Sequence, residues 1–185
     1  MIIGMRGHDF GRMEPRALAL AIREAGFEAT QLAFAKAFPA PAEQYMTPGA
    51  LSEIRRAFAG IVLPVMGCYV SASDRDPDVL AEAKARFKRS LSASVILGAG
   101  CVGTETTHFT FPESEREAAY ARLLDFTREV CAHAEQVHAL VGIEPVALHT
   151  LNTPELTRRL IADVSSPNLR VILDTANLVT PETAA

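Results

Sequence analysis

The sequence is poor in the features that mark secreted, membrane-bound and disulfide-rich proteins. It has no tryptophan and only three cysteines, Cys68, Cys101 and Cys131. Their odd number and wide spacing argue against a disulfide framework and predict reduced packing residues. No apolar run approaches the ~18 residues that a membrane span requires, and no basic leader precedes an apolar stretch at the N-terminus. These absences predict a cytoplasmic protein without a membrane partner.

The chain also lacks an excess of positive charge. It carries 18 Lys and Arg residues against 22 Asp and Glu residues, for a formal net charge of −4. The field of the whole chain therefore does not favour nucleic acid or an anionic membrane as a partner, and a small molecule or a protein is expected, with a homo-oligomer left open. Apolar material is plentiful, since 49% of the 185 residues are hydrophobic, which suffices for the core of one domain.

Two kinds of hydrophobic pattern alternate along the chain. Short apolar or β-branched runs bounded by turn residues predict six strands, at residues 1–5, 29–33, 61–67, 101–105, 141–145 and 169–174. Apolar residues at three- and four-residue spacing predict helices near residues 15–25, 48–59, 77–97, 113–139 and 154–164. A hydroxyl or carboxyl residue precedes a proline at Thr47, Asp76 and Thr153, which is typical of helix starts, while Gly26, Gly60 and Gly98 indicate helix ends.

This alternation, with strands too apolar to have one wet face, favours a parallel sheet covered by helices. A complete (β/α)8 TIM barrel needs about 250 residues. We therefore expect an α/β fold of the barrel type represented by about six βα units, with residues 1–185 as a single domain truncated at its C-terminus. A complete six-stranded open sheet is the alternative.

Two of the predicted strands end on a carboxylate, Glu144 and Asp174. Burial of an unpaired carboxylate is costly unless a cation or several hydrogen-bond donors compensate for it. The two strands lie one βα unit apart, so their carboxyl ends would be neighbours and both side chains could reach one metal ion. In the alternative interpretation, each carboxylate caps a helix or pairs with an arginine such as Arg158.

Other polar residues also follow predicted strands, where α/β folds bind ligands. They are His8, Lys36, Glu105 and His149, and each taken alone is more commonly a surface or packing residue. The match of residues 98–103 to G-x-G-x-x-G does not predict a dinucleotide site, because here a helix precedes the glycines and a strand follows them.

Several segments resemble the xylose-isomerase-like TIM-barrel superfamily of sugar (phosphate) isomerases and epimerases. They are RGHDFG, TQLAFAKAF, GCYVS, CVGTETTH, GIEPVALHTLNTPEL and SPNLRVILDTANLV. The resemblance implies one divalent ion, Mn²⁺, Mg²⁺, Co²⁺ or Zn²⁺, held by Glu, Asp, His and Glu. Glu144 and Asp174 match the first two ligands, and the last two have no counterpart in this sequence. Asn177 stands where many members have histidine, and an amide cannot titrate near neutrality.

The function that the resemblance implies is metal-dependent isomerisation or epimerisation of a sugar or similar hydroxy-carbonyl compound through an enediolate. Glu144 would be both the catalytic residue and a metal ligand, while His8, Lys36, Glu105, His149 and Asn177 would bind the substrate. A metal-dependent dehydratase of a keto-polyol and a non-catalytic barrel remnant are the alternatives. A DNA-repair endonuclease with a three-zinc site is disfavoured. Such a site needs histidines at the ends of strands two and three, where this chain has Lys36 and the segment Cys68-Tyr-Val-Ser, and the chain is also acidic.

Overall fold

Six short strands alternate with helices along the chain, in an α/β fold of the TIM-barrel type. The structure is a computed structural model and describes residues 1–179. The strands are β1 (Gly4–Arg6), β2 (Ala29–Gln31), β3 (Val65–Gly67), β4 (Cys101–Glu105), β5 (Val141–Glu144) and β6 (Leu169–Val171). All six strands predicted from the sequence are present, but most are shorter, because a strand ends where its ladder pairing ends and not where its apolar run ends.

Within the described residues, six helices connect the strands. They are α1 (Pro15–Glu24), α2 (Phe34–Ala37), α3 (Pro48–Ala57), α4 (Pro77–Leu97), α5 (Arg116–Val137) and α6 (Pro154–Val164). The four-residue α2 was not predicted, since one turn is too short to establish a helical period. The helix predicted to begin at residue 113 starts instead with a separate 3₁₀ turn, Glu113–Glu115.

The helix ends follow from the residues at the boundaries. The side chains of Thr47, Asp76 and Thr153 each accept a hydrogen bond from a first-turn backbone N–H, at 3.3, 2.9 and 3.2 Å. These bonds satisfy N–H groups that have no partner within the helix. At the other end of α4, Gly98 adopts the left-handed conformation with φ of 72°, which few residues other than glycine reach without strain. The predicted caps and stop are confirmed.

The strand order follows the chain. β1 pairs with β2, and β3, β4, β5 and β6 form a parallel four-stranded sheet in that order. Two isolated parallel bridges, Ala29 to Val62 and Leu32 to Met66, join β2 to the β3 side. Helices α4 and α5 pack against each other on the outside, where the rings of Phe87 and Phe126 meet edge to face at 5.6 Å. Within residues 1–179, no helix combines the length and the apolar character that crossing a membrane requires.

The inner face of the sheet is built from small residues. Gly103 on β4 pairs in register with Gly67 on β3 and with Gly142 on β5. A Cβ at Gly103 would lie 2.6 Å from Cδ1 of Ile172, and one at Gly142 would lie 2.9 Å from the same atom. The Ile172 side chain therefore lies across both glycines and fills the space below the carboxyl ends of the strands.

Candidate active site

Three carboxylates lie at the carboxyl ends of β4, β5 and β6, and we call Glu105, Glu144 and Asp174 the acidic rim. Glu105 and Glu144 are direct register partners on adjacent strands, so their Cα atoms are held at the spacing of a parallel ladder. The N–H of Ile172 donates to the carbonyl of Ile143 at 3.0 Å, which continues the pairing of β6 by one residue. Asp174 follows two residues later. Side chains alternate along an extended chain, so Asp174 lies on the same side as Ile172.

Glu144 is the most buried member of the acidic rim, with 8% of its surface exposed. Burial raises the pKa of its carboxyl group, and the negative charges of Glu105 and Asp174 raise it further. Oε1 accepts a hydrogen bond from Nδ2 of Asn177 at 2.7 Å, and this bond and the charge of Lys36 oppose the rise in pKa. Glu144 is therefore a carboxylate whose negative charge is poorly compensated, so a proton or a cation would stabilise it.

Asp174 and Asn177 are organised by one short turn. Oδ1 of Asp174 accepts hydrogen bonds from the backbone N–H groups of Ala176, at 3.0 Å, and Asn177, at 3.3 Å. These bonds fix the 3₁₀ turn Ala176–Leu178 and so direct Asn177 toward Glu144. Asp174 thus does cap a turn, as the alternative interpretation supposed. The suggested arginine partner is wrong, because Arg158 instead pairs with Glu155 at 3.0 Å.

Lys36 and Tyr69 form the opposite side of the site. Nζ of Lys36 lies 3.7 Å from the centroid of the Tyr69 ring, and Nε2 of Gln31 donates to the Tyr69 hydroxyl at 2.7 Å. Burial raises the pKa of Tyr69, and the charges of Glu105 and Glu144 add to the rise. Tyr69 and Gln31 were not predicted as site residues. Their signal in the sequence is weak: Gln31 is the last residue of β2, and Tyr69 stands two residues beyond the end of β3.

His8 lies in the 3₁₀ turn Gly7–Phe10 directly after β1. Burial lowers its pKa, and the positive charge of Lys36 lowers it further, so the neutral imidazole is favoured near neutral pH. Its Nδ1 atom is buried and has no hydrogen-bond partner among residues 1–179. A buried polar atom without a partner is uncommon, so His8 is a candidate for a role beyond packing.

His149 lies in the loop between β5 and α6. Its Nε2 atom is 3.9 Å from Oε2 of Glu105, and its ring centroid is 5.6 Å from that of His108. Burial lowers the pKa of His149, the charge of His108 lowers it further, and Glu105 opposes both. Like that of His8, its Nδ1 atom is buried without a partner in the described part of the chain. The structure thus brings His149 to the Glu105 side of the rim.

The acidic rim fits a divalent cation only in part. Carboxylate oxygens are the ligands that hard cations prefer, and the pKa of Glu144 is raised by burial and also by like charges that a cation would neutralise. However, no group of three or more His, Cys, Asp or Glu side chains among residues 1–179 is arranged to hold a metal ion. Glu144 and Asp174 would therefore supply only two protein ligands, whereas catalytic metal sites usually have three or more.

Comparison with known proteins defines the family. A family description, the xylose isomerase-like TIM barrel, matches residues 19–184. The chain therefore belongs to the xylose isomerase-like TIM barrel family, as the sequence motifs predicted. No curated protein sequence matches the chain.

Solved structures agree on the fold. A D-psicose 3-epimerase crystallised with D-fructose superposes with a TM-score of 0.77 at 21% identity, covering 96% of this chain and 65% of that one. The IOLI protein with a bound zinc atom gives a TM-score of 0.77 at 18% identity, covering 96% and 64%. A family member from Mycobacterium smegmatis in complex with magnesium gives 0.71 at 18% identity, covering 96% and 65%. The chain thus spans less than two thirds of each relative, and at these identities the likeness establishes the fold. Relatives in the family bind metal ions.

Proposed function

We propose that the chain belongs to a barrel enzyme that isomerises or epimerises a sugar or a sugar-like hydroxy-carbonyl substrate. The observation that carries this proposal is Glu144, a buried carboxylate of raised pKa at a strand end, in register with Glu105 and under the influence of Asp174. A carboxyl group whose pKa is raised toward neutrality is suited to take and return a proton.

We also propose that Glu144 and Asp174 hold one divalent ion, Mn²⁺, Mg²⁺, Co²⁺ or Zn²⁺. The oxygen donors of the acidic rim support this proposal, as do the relatives that contain zinc and magnesium. When bound, such an ion polarises a substrate carbonyl and stabilises the negative charge that develops on its oxygen.

The other site residues have separate roles in this proposal. Glu144 removes a proton from the carbon next to the carbonyl, and Asn177 orients the Glu144 carboxylate through its 2.7 Å hydrogen bond. The imidazole side chains of His8 and His149, which follow β1 and β5, bind substrate hydroxyls. Lys36 contributes positive charge beside the developing anion, and Glu105 orients the substrate. We further propose a cytoplasmic location, a single barrel domain over residues 1–185 and a sugar-like small molecule as the partner.

The test is exchange of the substrate C–H proton with solvent. The protein is incubated with D-fructose and Mn²⁺ in D₂O, and deuterium incorporation is followed by NMR. We expect Glu144→Gln to lower the exchange rate by about 10³-fold or more, because the amide cannot accept the proton. The matched control is Glu155→Gln, which alters an exposed carboxylate on α6. Unchanged exchange in Glu144→Gln would refute the assignment.

The same experiment separates the alternative functions. Loss of water from the sugar, with no epimer formed, would identify a dehydratase. A non-catalytic remnant would show no exchange, and calorimetry with Mn²⁺ alone tests it independently. We expect Asp174→Asn to weaken Mn²⁺ binding relative to the wild type and to the Glu155→Gln control.

A further inference from the structure

A second concave site lies beside the acidic rim. A cavity of about 330 Å³ opens between the carboxyl ends of β2 and β3, helix α2 and helix α4. Three cationic residues line it, Lys36 after β2 and Arg86 and Arg89 on α4, and we call this cavity the basic pocket. Glu43 is the one acidic residue in the described lining. Its volume is within the range of small-molecule sites.

Only one of the three cations that line the basic pocket, Arg89, is paired with a carboxylate in the described part of the chain. Among residues 1–179, no ion pair includes Arg86 or Lys36, although Arg86 is half-buried. Arg89 has one partner, Glu82, at 2.8 Å. A partly buried guanidinium without an anion is unfavourable, so the pocket is electrostatically incomplete without a bound anion.

The positive charges of Arg86 and Arg89 both act on one side chain, that of Cys68. Cys68 is 4% exposed and lies in the wall of the pocket. Burial raises the pKa of its thiol, and the charges of both Arg86 and Arg89 oppose that rise. Both positive charges thus act at the part of the pocket wall that Cys68 and the buried Ser90 form. This convergence is notable in a chain whose net charge is −4.

Lys36 and Tyr69 connect the basic pocket to the acidic rim. Both residues line the pocket, and Nζ of Lys36 lies 3.7 Å from the centroid of the Tyr69 ring. Tyr69 and Glu105 of the rim together line a further concave surface at the carboxyl end of β4. One small molecule can therefore extend from the rim, past Lys36 and Tyr69, into the pocket.

We propose that the basic pocket binds the phosphate group of a sugar phosphate whose carbonyl end lies at the acidic rim. Two guanidinium groups and an ammonium group match a phosphate dianion, because arginine binds phosphate oxygens in pairs and lysine adds a point charge. The sugar part of this assignment rests on the proposed function, whereas the phosphate part rests on the pocket alone.

The experiment compares D-fructose 6-phosphate, D-fructose and inorganic phosphate by calorimetry. We expect the wild type to bind D-fructose 6-phosphate at least about tenfold more tightly than D-fructose, since charged hydrogen bonds contribute 1.5–3 kcal/mol each in general. Arg86→Gln should abolish this preference and the binding of inorganic phosphate. The control Arg158→Gln, which removes an exposed charge on α6, should keep both.

Three results would overturn the proposal. They are equal affinity for the two sugars, undiminished phosphate binding in Arg86→Gln, and tighter binding of D-glucuronate than of D-fructose 6-phosphate. Arg89→Gln, whose side chain is more exposed, serves as a second variant if Arg86→Gln does not fold, and circular dichroism checks folding in each case.

The phosphate measurement is made in the presence of a chelator, so it does not depend on a metal ion or on catalysis. Phosphate binding with no effect of Glu144→Gln on exchange would preserve the basic pocket and remove the proposed function. Proton exchange that depends on Glu144, together with no binding of phosphate, would preserve the proposed function and remove the phosphate assignment of the basic pocket.

Discussion

The acidic rim and the basic pocket are neighbours of opposite charge, and they are built in different ways. The rim is set by backbone pairing, because Glu105 and Glu144 are register partners on β4 and β5. The pocket is set by long side chains, with Arg86 and Arg89 reaching from α4. A sheet thus holds like charges at a fixed spacing, whereas a helix supplies charges that can move toward a ligand. The first arrangement suits a small cation and the second an anion of variable position.

Neither region balances its own charge. At the rim, like charges and burial together raise the pKa of Glu144. In the pocket, Arg86 lacks an ion-pair partner within the described residues. Lys36 lies between the two regions and acts on both. In the proposed arrangement the two regions form one site with two unlike halves, and the following changes test whether the halves are separable.

The largest effect on the free energy of unfolding is expected from adding a methyl group to the sheet below the acidic rim. In Gly103→Ala, the added methyl group would meet Cδ1 of Ile172 at 2.6 Å and Cγ1 of Val65 at 2.7 Å, so neighbours must shift. We expect a loss of about 1–3 kcal/mol in the free energy of unfolding, which is usual for overpacking. Urea denaturation measures the stability, and calorimetry should show weaker Mn²⁺ binding with unchanged phosphate binding.

A double variant sharpens this test. Ile172→Val removes the Cδ1 atom itself, so adding it to Gly103→Ala should recover part of the lost stability and of the Mn²⁺ affinity. If the double variant were as unstable as the sum of the single variants, the contact across the glycines would not be the cause.

A smaller effect is expected from removing the shared charge. In Lys36→Met, the pKa of Glu144 should rise, because a nearby cation that favours the carboxylate is lost. The pKa of His8 should also rise, because a cation that opposes the imidazolium is lost. NMR titration of both side chains in metal-free protein measures the shifts. Lys88→Met, which removes a lysine paired with Glu129 between α4 and α5, is the control and should move neither pKa.

The smallest effect on stability is expected at the ion pairs between α4 and α5. Their contribution is the reference against which changes in the acidic rim and the basic pocket can be compared. Glu129 contacts Lys84 at 2.7 Å and Lys88 at 2.5 Å, and these bonds lower the pKa of Glu129. Because the folded-state pKa lies below the unfolded one, the stabilisation is present above the unfolded pKa and is lost as the pH falls through the folded pKa.

We therefore expect Glu129→Gln to cost about 0.2–1 kcal/mol at pH 7, since the group is partly exposed and screened by solvent. The difference from the wild type should vanish in acid. Urea denaturation at several pH values measures it, and a difference that persists at low pH would assign the loss to packing and not to charge.

The parts of the fold that depend on local chemistry were predictable from the sequence. Thr47, Asp76 and Thr153 cap helices, and Gly98 ends one, because each acts on the backbone within a few residues. Strand bounds were less predictable, because they depend on pairing with a neighbour that is distant in sequence. The strand predicted at residues 61–67, for example, is reduced to Val65–Gly67.

The candidate site residues divide in the same way, into those that local sequence indicates and those that depend on contacts distant in sequence. Glu144 and Asp174 could be named as candidates because a carboxylate that ends an apolar run is unusual in any context, and their roles stay a prediction. The contact between Asn177 and Glu144 was not, because it depends on the turn that Asp174 caps. Arg86 and Arg89 were not predicted as site candidates either. The hydrophobic period of α4 indicates which of its residues are buried, but it does not indicate which cavity its polar residues line.

The register of β4 against β5 has a practical consequence for protein engineering. Main-chain hydrogen bonds, and not side chains, determine how far apart positions 105 and 144 are held. The chemical nature of the donor at either position can therefore be exchanged while the scaffold keeps its dimensions. Nitrogen could replace oxygen at position 144, for instance, and in the proposed metal site the preference for hard or soft ions would then change.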